Sequence, residues 1–249
     1  MKAFLRLFFL VFLAGLALQL YFVGRIAMMA VVDPESTAFE RSAVYSVAAT
    51  TGSLKWRQQW VPYTDMSDNL KRAVIASEDA SFTEHEGVDV EALEKAWDKN
   101  ARAEQKVQQS APKTFNSKTP AKPVKPPKIV GGSTITQQLA KNLFLSGERT
   151  LLRKGQELVL TLLLETMLSK ERILEIYLNS VEWGEGVYGA EAASQHYYRK
   201  SASKLSTYEA ARLAVMLPRP KYFETRPYSG YLSSRANTIA ARMGAVELP

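Results

Sequence analysis

The sequence predicts a mainly α protein with one N-terminal transmembrane helix. Apolar residues recur with a helical period through most of the chain, and strand-like alternation is confined to short pieces such as 43–48. An uncharged stretch of 18 residues runs from Leu7 to Gly24. With 249 residues, 46% of them hydrophobic, the chain is long and apolar enough to build a core, which excludes disorder as a description of the whole chain.

The uncharged stretch is long enough to cross a bilayer, because 18 helical residues rise about 27 Å. Lys2 and Arg6 precede it, and the positive-inside rule therefore predicts a cytoplasmic N-terminus. A cleaved signal peptide is the alternative, but the stretch exceeds a usual signal core and no small-x-small cleavage site follows it. We therefore predict an uncleaved anchor at residues 1–32, with residues 33–249 on the outer side of the membrane.

The remaining elements follow from periodicity and from helix start and stop signals. Ser206 and Glu209 form a capping-box pattern, and Pro218 is expected to end the helix that they begin. Further helical patterns lie at 69–82, 88–100, 133–145, 153–179 and 229–243. These helices predict one domain over 33–249.

An insert at 101–128 is predicted to interrupt this domain. It holds five of the eleven prolines, six lysines and almost no large apolar side chain, so it cannot offset the entropy of ordering. One hypothesis places this mobile insert against anionic lipid headgroups; the other makes it a passive linker. The sequence favours neither.

The net charge of +7 suggests nucleic acid only until its distribution is considered. The anchor and the insert carry more positive charge than the whole chain, so the rest of the protein is slightly acidic and no nucleic-acid partner is predicted. The chain has no Cys and two His, which excludes disulfides, thiolate nucleophiles, Cys-ligated zinc or iron–sulfur centres and three-histidine metal sites.

A first candidate motif, SEDASFTEHEG, occupies residues 77–87. Glu78 and Asp79 end an apolar helical run, where partial burial raises a carboxyl pKa and makes the carboxylate a better base. Phe82 and His85 follow closely. The alternative is a solvated pair of helix-end acids with His85 as a local hydrogen-bond partner, and the pattern alone favours that alternative.

A second motif, GGSTITQQLAKN, covers residues 131–142 and predicts a helix capped by Ser133 or Thr134. Amides and hydroxyls suit sugar hydroxyls, and an ammonium suits a phosphate. A capped surface helix is an equally weighted alternative. The candidate substrate-binding residues of this helix are Ser133, Thr134, Gln137, Gln138, Lys141 and Asn142.

A third group of charged residues precedes a long apolar run at 149–165. Arg149, Arg153 and Lys154 are expected at the entrance of a buried helix with Glu157 just inside, a cluster able to neutralise a diphosphate. The alternative is a simple i,i+4 ion pair of Arg153 with Glu157 at a surface. The segment 170–179 is interpreted mainly as core packing.

Together, SEDASFTEHEG, GGSTITQQLAKN, RKGQE, KERILEIYLN and RLAVMLPRP occur in the order typical of the peptidoglycan glycosyltransferases, family 51 of the glycosyltransferases. The chain resembles this family over roughly residues 70–220. The resemblance implies a lysozyme-like helical domain on the outer face of the bacterial inner membrane. The long Lys/Pro-rich segment between the first two motifs departs from the family pattern.

The resemblance also implies an activity: polymerisation of lipid II into β-1,4-linked glycan strands with release of undecaprenyl diphosphate, in cell-wall synthesis. Glu78 would deprotonate the acceptor hydroxyl, and Asp79, Phe82 and His85 would shape the site. Lys141, Arg149 and Arg153 would hold the donor diphosphate, which Lys154 adjoins. Glu157 would assist the leaving group directly or through a divalent cation, Mg²⁺ or Mn²⁺.

The implied partners are lipid II, the growing glycan strand, inner-membrane lipids and cell-wall synthesis or division proteins, with no organic cofactor. Two other functions are weighed. A muramidase would also place a Glu at a helix end, but the Lys/Arg cluster favours a diphosphate donor over a hydrolytic substrate. A non-enzymatic scaffold of the cell-wall machinery would retain the motifs only for folding.

Overall fold

The computed structural model describes residues 1–110, 132–148 and 150–249, and the predicted mainly α class is confirmed. The helices there are α1 (Lys2–Met29), α2 (Ala38–Thr51), α3 (Asp68–Glu78), α4 (Val90–Ser110), α5 (Ile135–Phe144), α6 (Leu151–Met167), α7 (Lys170–Ser180), α8 (Ala190–Tyr198), α9 (Thr207–Met216), α10 (Pro220–Glu224) and α11 (Gly230–Arg242). Short 3₁₀ turns lie at Tyr63–Asp65, Ala202–Lys204 and Met243–Ala245.

A small sheet of three strands accompanies the helices: β1 (Arg57–Gln58), β2 (Glu182–Gly184) and β3 (Val187–Tyr188). The spatial order is β1-β3-β2, with β1 parallel and β2 antiparallel to β3. Gly186 turns the β2–β3 hairpin at φ +74°, and a Cβ there would lie 2.4 Å from the Lys55 carbonyl oxygen. Only glycine fits this turn.

The chain divides into two compact units. The first, residues 1–87 with 134–249, has a core in which α3, α9 and α11 pack together around side chains such as Leu70, Leu213 and Ile239, all fully buried. The second, residues 88–133, contains α4. Trp97 of α4 is largely exposed.

Residues 43–48, which alternate like a strand, lie inside α2 instead. Thr37 and Glu40 cap the start of this helix reciprocally, and Gly52 ends it in a left-handed conformation. These two signals set the backbone over a span that includes the alternating piece. The caps at the two ends of α2 therefore determine the conformation of residues 43–48 more strongly than their short alternating pattern does.

The predicted helix at 153–179 is two helices. α6 ends at Met167, Leu168 and Ser169 are extended, and the Ser169 side chain accepts a hydrogen bond from the Arg172 N–H to begin α7. Serine is a favourable N-cap residue because its side-chain oxygen accepts a hydrogen bond from a backbone N–H that has no partner within the helix. The first predicted helix, 69–82, likewise ends early, at Glu78.

The helix predicted at 88–100 continues to Ser110, ten residues into the predicted insert. Residues 101–109 are mostly Ala, Arg, Glu, Gln and Lys, which favour helix, whereas the first proline of the insert is Pro112. Residues 111–128, which hold all five insert prolines, lie outside the described residues.

α1 is long and apolar enough to cross a membrane by length and composition. Most of its side chains are exposed, but Phe22, Ile26 and Met29 are buried in the core of the first unit. The Phe22 ring meets Phe144 at the end of α5 edge-on, with centroids 5.4 Å apart. The last third of α1 is therefore packed against the domain.

Candidate active site

Glu78 is the last residue of α3, whose preceding turns bury Val74 and Ile75. Burial is the main cause that raises the pKa of the Glu78 carboxyl, and the neighbouring Asp79 charge adds to it. Hydrogen bonds from Gln138 Nε2 at 3.1 Å and Ser77 Oγ at 3.4 Å act in the opposite direction. The result is a partly buried carboxyl with a pKa above its ordinary value, as a general base requires.

The orientation of the Gln138 amide is set by Tyr177 of α7. The Tyr177 hydroxyl donates to Gln138 Oε1 at 2.9 Å, which leaves the Gln138 amide nitrogen facing Glu78. Tyr177 is fully buried, and burial holds its pKa well above the ordinary value, so it remains a donor. A chain of hydrogen bonds thus runs from Tyr177 through Gln138 to Glu78.

Asp79, next to Glu78, joins two parts of the chain. Its Oδ1 accepts from His85 Nε2 at 2.8 Å, and its Oδ2 accepts from the Ile135 N–H at 3.0 Å at the start of α5. The Gly87 N–H donates to His85 Nδ1 at 3.1 Å, so the ring proton lies on Nε2. Both oxygens of Asp79 are therefore engaged in holding the first motif against the second.

Gly87 and Phe82 complete this packed loop. Gly87 has φ +81°, and a Cβ there would lie 2.6 Å from Thr161 Cγ2. Phe82 is fully buried, and the Lys170 ammonium lies 4.6 Å from its ring centroid while donating to the His85 carbonyl at 2.5 Å. These contacts fix the conformation of the loop that follows Glu78.

Of the two predicted caps, Thr134 caps α5. Its hydroxyl accepts from the Gln137 N–H at 3.2 Å and donates to the Gly87 carbonyl at 2.6 Å, and Gln137 Oε1 accepts from the Thr134 N–H at 3.2 Å. Thr134 and Gln137 are both buried, so their polar atoms serve the helix start. Ser133 precedes the cap and is exposed.

Lys141 and Asn142 line a cleft of about 220 Å³ together with Gln138. Burial lowers the pKa of the Lys141 ammonium, the charges of Arg153 and Lys154 lower it further, and those of Glu157 and Glu78 raise it. Because these charges all act on the Lys141 ammonium, Glu78, Arg153, Lys154 and Glu157 lie within electrostatic reach of the same residue.

Arg153, Lys154 and Glu157 form an ion-pair cluster on the first two turns of α6. Arg153 Nη1 lies 2.9 Å from Glu157 Oε2, and Lys154 pairs with Glu157 Oε1. The Glu157 side chain is buried, whereas that of Lys154 is half exposed. Arg153 Nε is buried and has no hydrogen-bond partner among the described residues. Arg149, the fourth predicted member, lies outside the described residues.

The donor set around Glu157 does not fit a divalent cation. Both carboxylate oxygens are already paired with cationic side chains, and the Lys141 charge lies in the same field. Mg²⁺ and Mn²⁺ prefer a shell of oxygen ligands without neighbouring ammonium groups. This cluster is suited to an anion instead.

Three residues that line the cleft or act on the Glu78 charge have no signal in the sequence patterns. Tyr177 lies within an apolar stripe, where it looks like core. Arg235 of α11 lowers the Glu78 pKa through its charge, although it is distant in sequence. Glu182 of β2 lines the cleft, pairs with Lys221 Nζ at 3.1 Å and has a pKa raised mainly by burial. Each of these residues interacts with side chains that are distant from it in sequence, which is why the sequence patterns do not select it.

Known proteins that are similar in sequence to this chain are transglycosylases. A family model described as transglycosylase matches residues 46–111 and 121–244. A biosynthetic peptidoglycan transglycosylase of Burkholderia thailandensis is 54% identical over 236 residues, 95% of this chain and 84% of that protein. Proteins of the same name are 53% identical over 236 residues in Burkholderia pseudomallei, and 50% identical over 237 residues, 95% of this chain and 90% of that protein, in Paraburkholderia phytofirmans. The chain therefore belongs to the transglycosylase family, a family of glycosyltransferases.

Proposed function

We propose that this transglycosylase acts in bacterial cell-wall synthesis, polymerising lipid II into β-1,4-linked glycan strands with release of undecaprenyl diphosphate. The substrate class, peptidoglycan, is that of its relatives, which are named biosynthetic peptidoglycan transglycosylases. The observation that carries the chemistry is that Gln138, which lines the cleft beside Lys141, donates to the Glu78 carboxylate at 3.1 Å, while the charges of Glu78, Arg153 and Lys154 all act on Lys141.

Glu78 acts as the general base. Its carboxylate takes the proton of the acceptor 4-hydroxyl as the oxygen attacks C1 of the donor sugar. A base is most effective when its pKa approaches the working pH, and burial moves Glu78 in that direction. Gln138 Nε2 donates to Glu78 Oε2. Glu78 Oε1 accepts the longer hydrogen bond from Ser77 Oγ, and this oxygen takes the proton of the acceptor hydroxyl.

Lys141 and Arg153 stabilise the departing diphosphate. A base on one face of the sugar and positive charge on the other is the spatial logic of an inverting reaction. A neutralised diphosphate leaves readily, so no strong general acid is needed. Glu157 positions Arg153 and Lys154 through its two ion pairs.

The amides lining the cleft suit saccharide recognition. Gln138 and Asn142 provide donors and acceptors for sugar hydroxyl and acetamido groups, beside the Lys141 ammonium. Ser133, exposed just before α5, adds a hydroxyl at the helix start. Arg149 is proposed to extend the diphosphate contacts.

α1 anchors the enzyme in the inner membrane, with the N-terminus in the cytoplasm and the catalytic domain in the periplasm. The supporting observations are the apolar length of α1 and the basic residues Lys2 and Arg6 before it. The lipid-linked substrate then reaches the site from the same membrane surface.

A gel assay of glycan polymerisation on purified lipid II tests the proposal, with wild type, Glu78→Gln and Lys141→Ala compared side by side. Glu78→Gln should lose at least about 100-fold in rate, because a general base contributes 10²–10⁴. Circular dichroism should show the variant folded. Full activity of Glu78→Gln overturns the assignment of the base.

The same preparation separates the other two functions. Release of soluble muropeptides from purified cell wall, without polymer formation from lipid II, would identify a muramidase. Absence of both activities in the folded wild type would favour a scaffold.

A further inference from the structure

A second cavity shares no lining residue with the cleft beside Glu78. Its volume is about 630 Å³, which lies in the range of ligand sites in proteins. One wall comes from the segment 59–66 before α3, and the other comes from the segment 201–203 after α8, with Glu191 of α8 beneath it. All of these residues belong to the first compact unit. We call this space the second cavity.

The first wall is held in place by Asn179 of α7. The Asn179 side chain is fully buried, accepts from the Val61 N–H at 2.9 Å and donates to the Val61 carbonyl at 2.9 Å. The next residue towards the N-terminus is Trp60, whose ring lines the cavity and lies 5.5 Å from the guanidinium carbon of Arg172. The indole is therefore presented by a fixed backbone and by a packed neighbour.

The second wall is held by the buried carboxylate of Glu191. Its Oε2 accepts from the Ala202 N–H at 2.7 Å and from Ser201 Oγ at 3.1 Å. The hydroxyl of Ser203 in turn donates to Ser201 Oγ at 3.1 Å. Both walls are thus fixed by buried polar side chains, so a ligand would meet a preorganised surface and would not have to order it on binding.

The groups that line the second cavity suit a saccharide. A flat indole such as that of Trp60 can pack against the C–H face of a sugar ring. Gln59, Thr64 and Ser203 provide donors and acceptors for hydroxyl and acetamido groups. One aromatic surface with a few polar groups around it is the usual composition of a small-ligand site.

The charge of the second cavity excludes a phosphate ligand. Its charged lining residues within the described part of the chain are two acids, Asp65 and Glu191, and none of the lining residues described there is basic. An anion would be repelled, whereas the hydroxyl groups of a neutral sugar can donate to a carboxylate. The cleft differs, because Lys141 lines it and suits the diphosphate of a donor.

Helix α7 lies between the second cavity and the cleft. Tyr177 and Ser180 line the cleft, whereas Asn179 holds the wall of the cavity. At 100° per residue, Asn179 points about 200° away from Tyr177 around the helix axis. The two sites are therefore separated by about one helix width, roughly 10–12 Å. A chain of several sugars can span that distance.

We propose that the second cavity binds neutral N-acetylated sugar units of a glycan strand, at a site separate from the cleft. The ligand class rests on the proposed function, since a polymerase of peptidoglycan strands works among such sugars. Two sources present the same units: the strand that the enzyme is making and the cell wall that already exists. The structure assigns the chemistry that they share.

A photoreactive oligosaccharide locates the site directly. The full-length protein in detergent is irradiated with diazirine-tagged N-acetylchitotetraose, a soluble chain of N-acetylated sugars, and the labelled peptides are identified by mass spectrometry. We expect labelling within 59–66 or 201–203 that an excess of untagged N-acetylchitotetraose removes. Maltotetraose, which lacks acetamido groups, should not remove it. Labelling confined to the cleft, or labelling that maltotetraose removes equally well, would overturn the proposal.

Ser203→Tyr fills the cavity from an exposed position, so the fold should tolerate it. It should lower the affinity for N-acetylchitotetraose at these segments at least about tenfold, measured as the concentration that gives half-maximal labelling. Ser234→Tyr, at an exposed serine of α11 outside both sites, is the matched control and should be labelled like wild type. Unchanged affinity in a folded Ser203→Tyr variant would refute the site.

Two assays with Ser203→Tyr distinguish the sources of the strand. Shorter strands from lipid II on a gel would identify the nascent product as the ligand, and weaker co-sedimentation with purified cell wall would identify the existing wall. Wild-type behaviour in both assays would overturn the assignment to a glycan strand.

The labelling experiment needs no polymerisation, so it separates this proposal from the proposed function. A labelled cavity in a protein that forms no polymer would leave the saccharide site standing and remove the function. An active enzyme whose cavity is not labelled would remove the saccharide site alone.

Discussion

Glu78 and Lys141 share a property at the scale of single residues: burial drives each of them toward its neutral form. A carboxyl with a raised pKa stabilises the fold fully below its unfolded pKa and loses that contribution as the pH rises through its folded pKa. In the free enzyme, ionisation of either group therefore costs more free energy than it would in water. A hydroxyl donor at Glu78 and a phosphate at Lys141 would relieve both.

Replacing Gln138 changes the pH dependence of the reaction in a defined direction. The Gln138 N–H favours the ionised form of Glu78 and lowers its pKa, so Gln138→Leu should raise that pKa. Since the base must be ionised, the acidic limb of kcat/KM should move to higher pH. The measurement is a pH profile of polymerisation at low lipid II concentration.

Gln195→Leu provides the matched control, because Gln195 pairs with Glu191 outside the site. Its acidic limb should coincide with that of wild type. A shift to lower pH in Gln138→Leu would contradict the role given to this amide.

Lys141→Met should separate binding from stability. Loss of a charge-assisted contact of about 1.5–3 kcal/mol to the diphosphate predicts roughly 10–100-fold lower kcat/KM. Removal of a desolvated ammonium predicts a free energy of unfolding equal to or above that of wild type at pH 7. Thermal melting together with steady-state kinetics measures both.

The exposed Lys204 serves as the comparison, and Lys204→Met should change neither quantity. Normal kinetics in Lys141→Met would show that the ammonium does not meet the donor.

At the scale of elements, α6 has two different surfaces. Its first two turns carry the ion-pair cluster, whereas Leu158, Val159 and Leu162 are exposed on a different side of the helix. α5 brings Gln138 and Lys141 to the same site, and Thr134, Asp79 and Gly87 hold its start. The site is therefore assembled from helix ends and first turns, where side chains meet without competing for one helix face.

Glu157→Gln should disturb α6 in two ways. It leaves Arg153 partly buried without a counter-charge, which predicts a loss of about 3 kcal/mol in the free energy of unfolding, the lower end for a broken buried pair because Lys154 is half exposed. It also frees both cations to move, so the KM for lipid II should rise. Urea unfolding and kinetics provide the measurements.

Glu175→Gln breaks a comparable ion pair, with Arg172 of α7 at 2.9 Å. It should lower stability while leaving the KM for lipid II unchanged. An equal KM rise in the two variants would mean that Glu157 acts only through folding.

At the scale of the whole molecule, the insert tests how the enzyme meets the membrane surface. Deletion of 106–128 removes six lysines, each contributing about 1 kcal/mol near anionic headgroups before screening. We expect weaker binding to anionic vesicles and a flatter salt dependence, measured by co-sedimentation at increasing NaCl. If salt dependence and polymerisation rate were both unchanged, the insert would be a passive linker.

Most of the helices could be predicted from the sequence, because period, caps and proline are local signals. Ser206 and Glu209 form the capping box that the pattern predicts. The failures have local causes too: the cap at Ser169 divides one apparent helix, and the Thr37–Glu40 box overrides alternation at 43–48. Glu78 could be selected by its place at a helix end, but Tyr177 could not, since a tyrosine in an apolar stripe resembles core.

By itself the sequence determined the helical class, the long apolar N-terminal helix and the identity of the motif residues, since each depends on neighbours within a few positions. Only the tertiary structure decided which of those residues hold the fold together and which contact Glu78. In it, both oxygens of Asp79 accept hydrogen bonds and Gln137 holds the start of α5. Gln138 donates to Glu78, and Gln19 of α1 pairs with Gln156 of α6. Burial and hydrogen-bond partners depend on which elements, distant in sequence, pack together. The local signals of the sequence do not determine that packing.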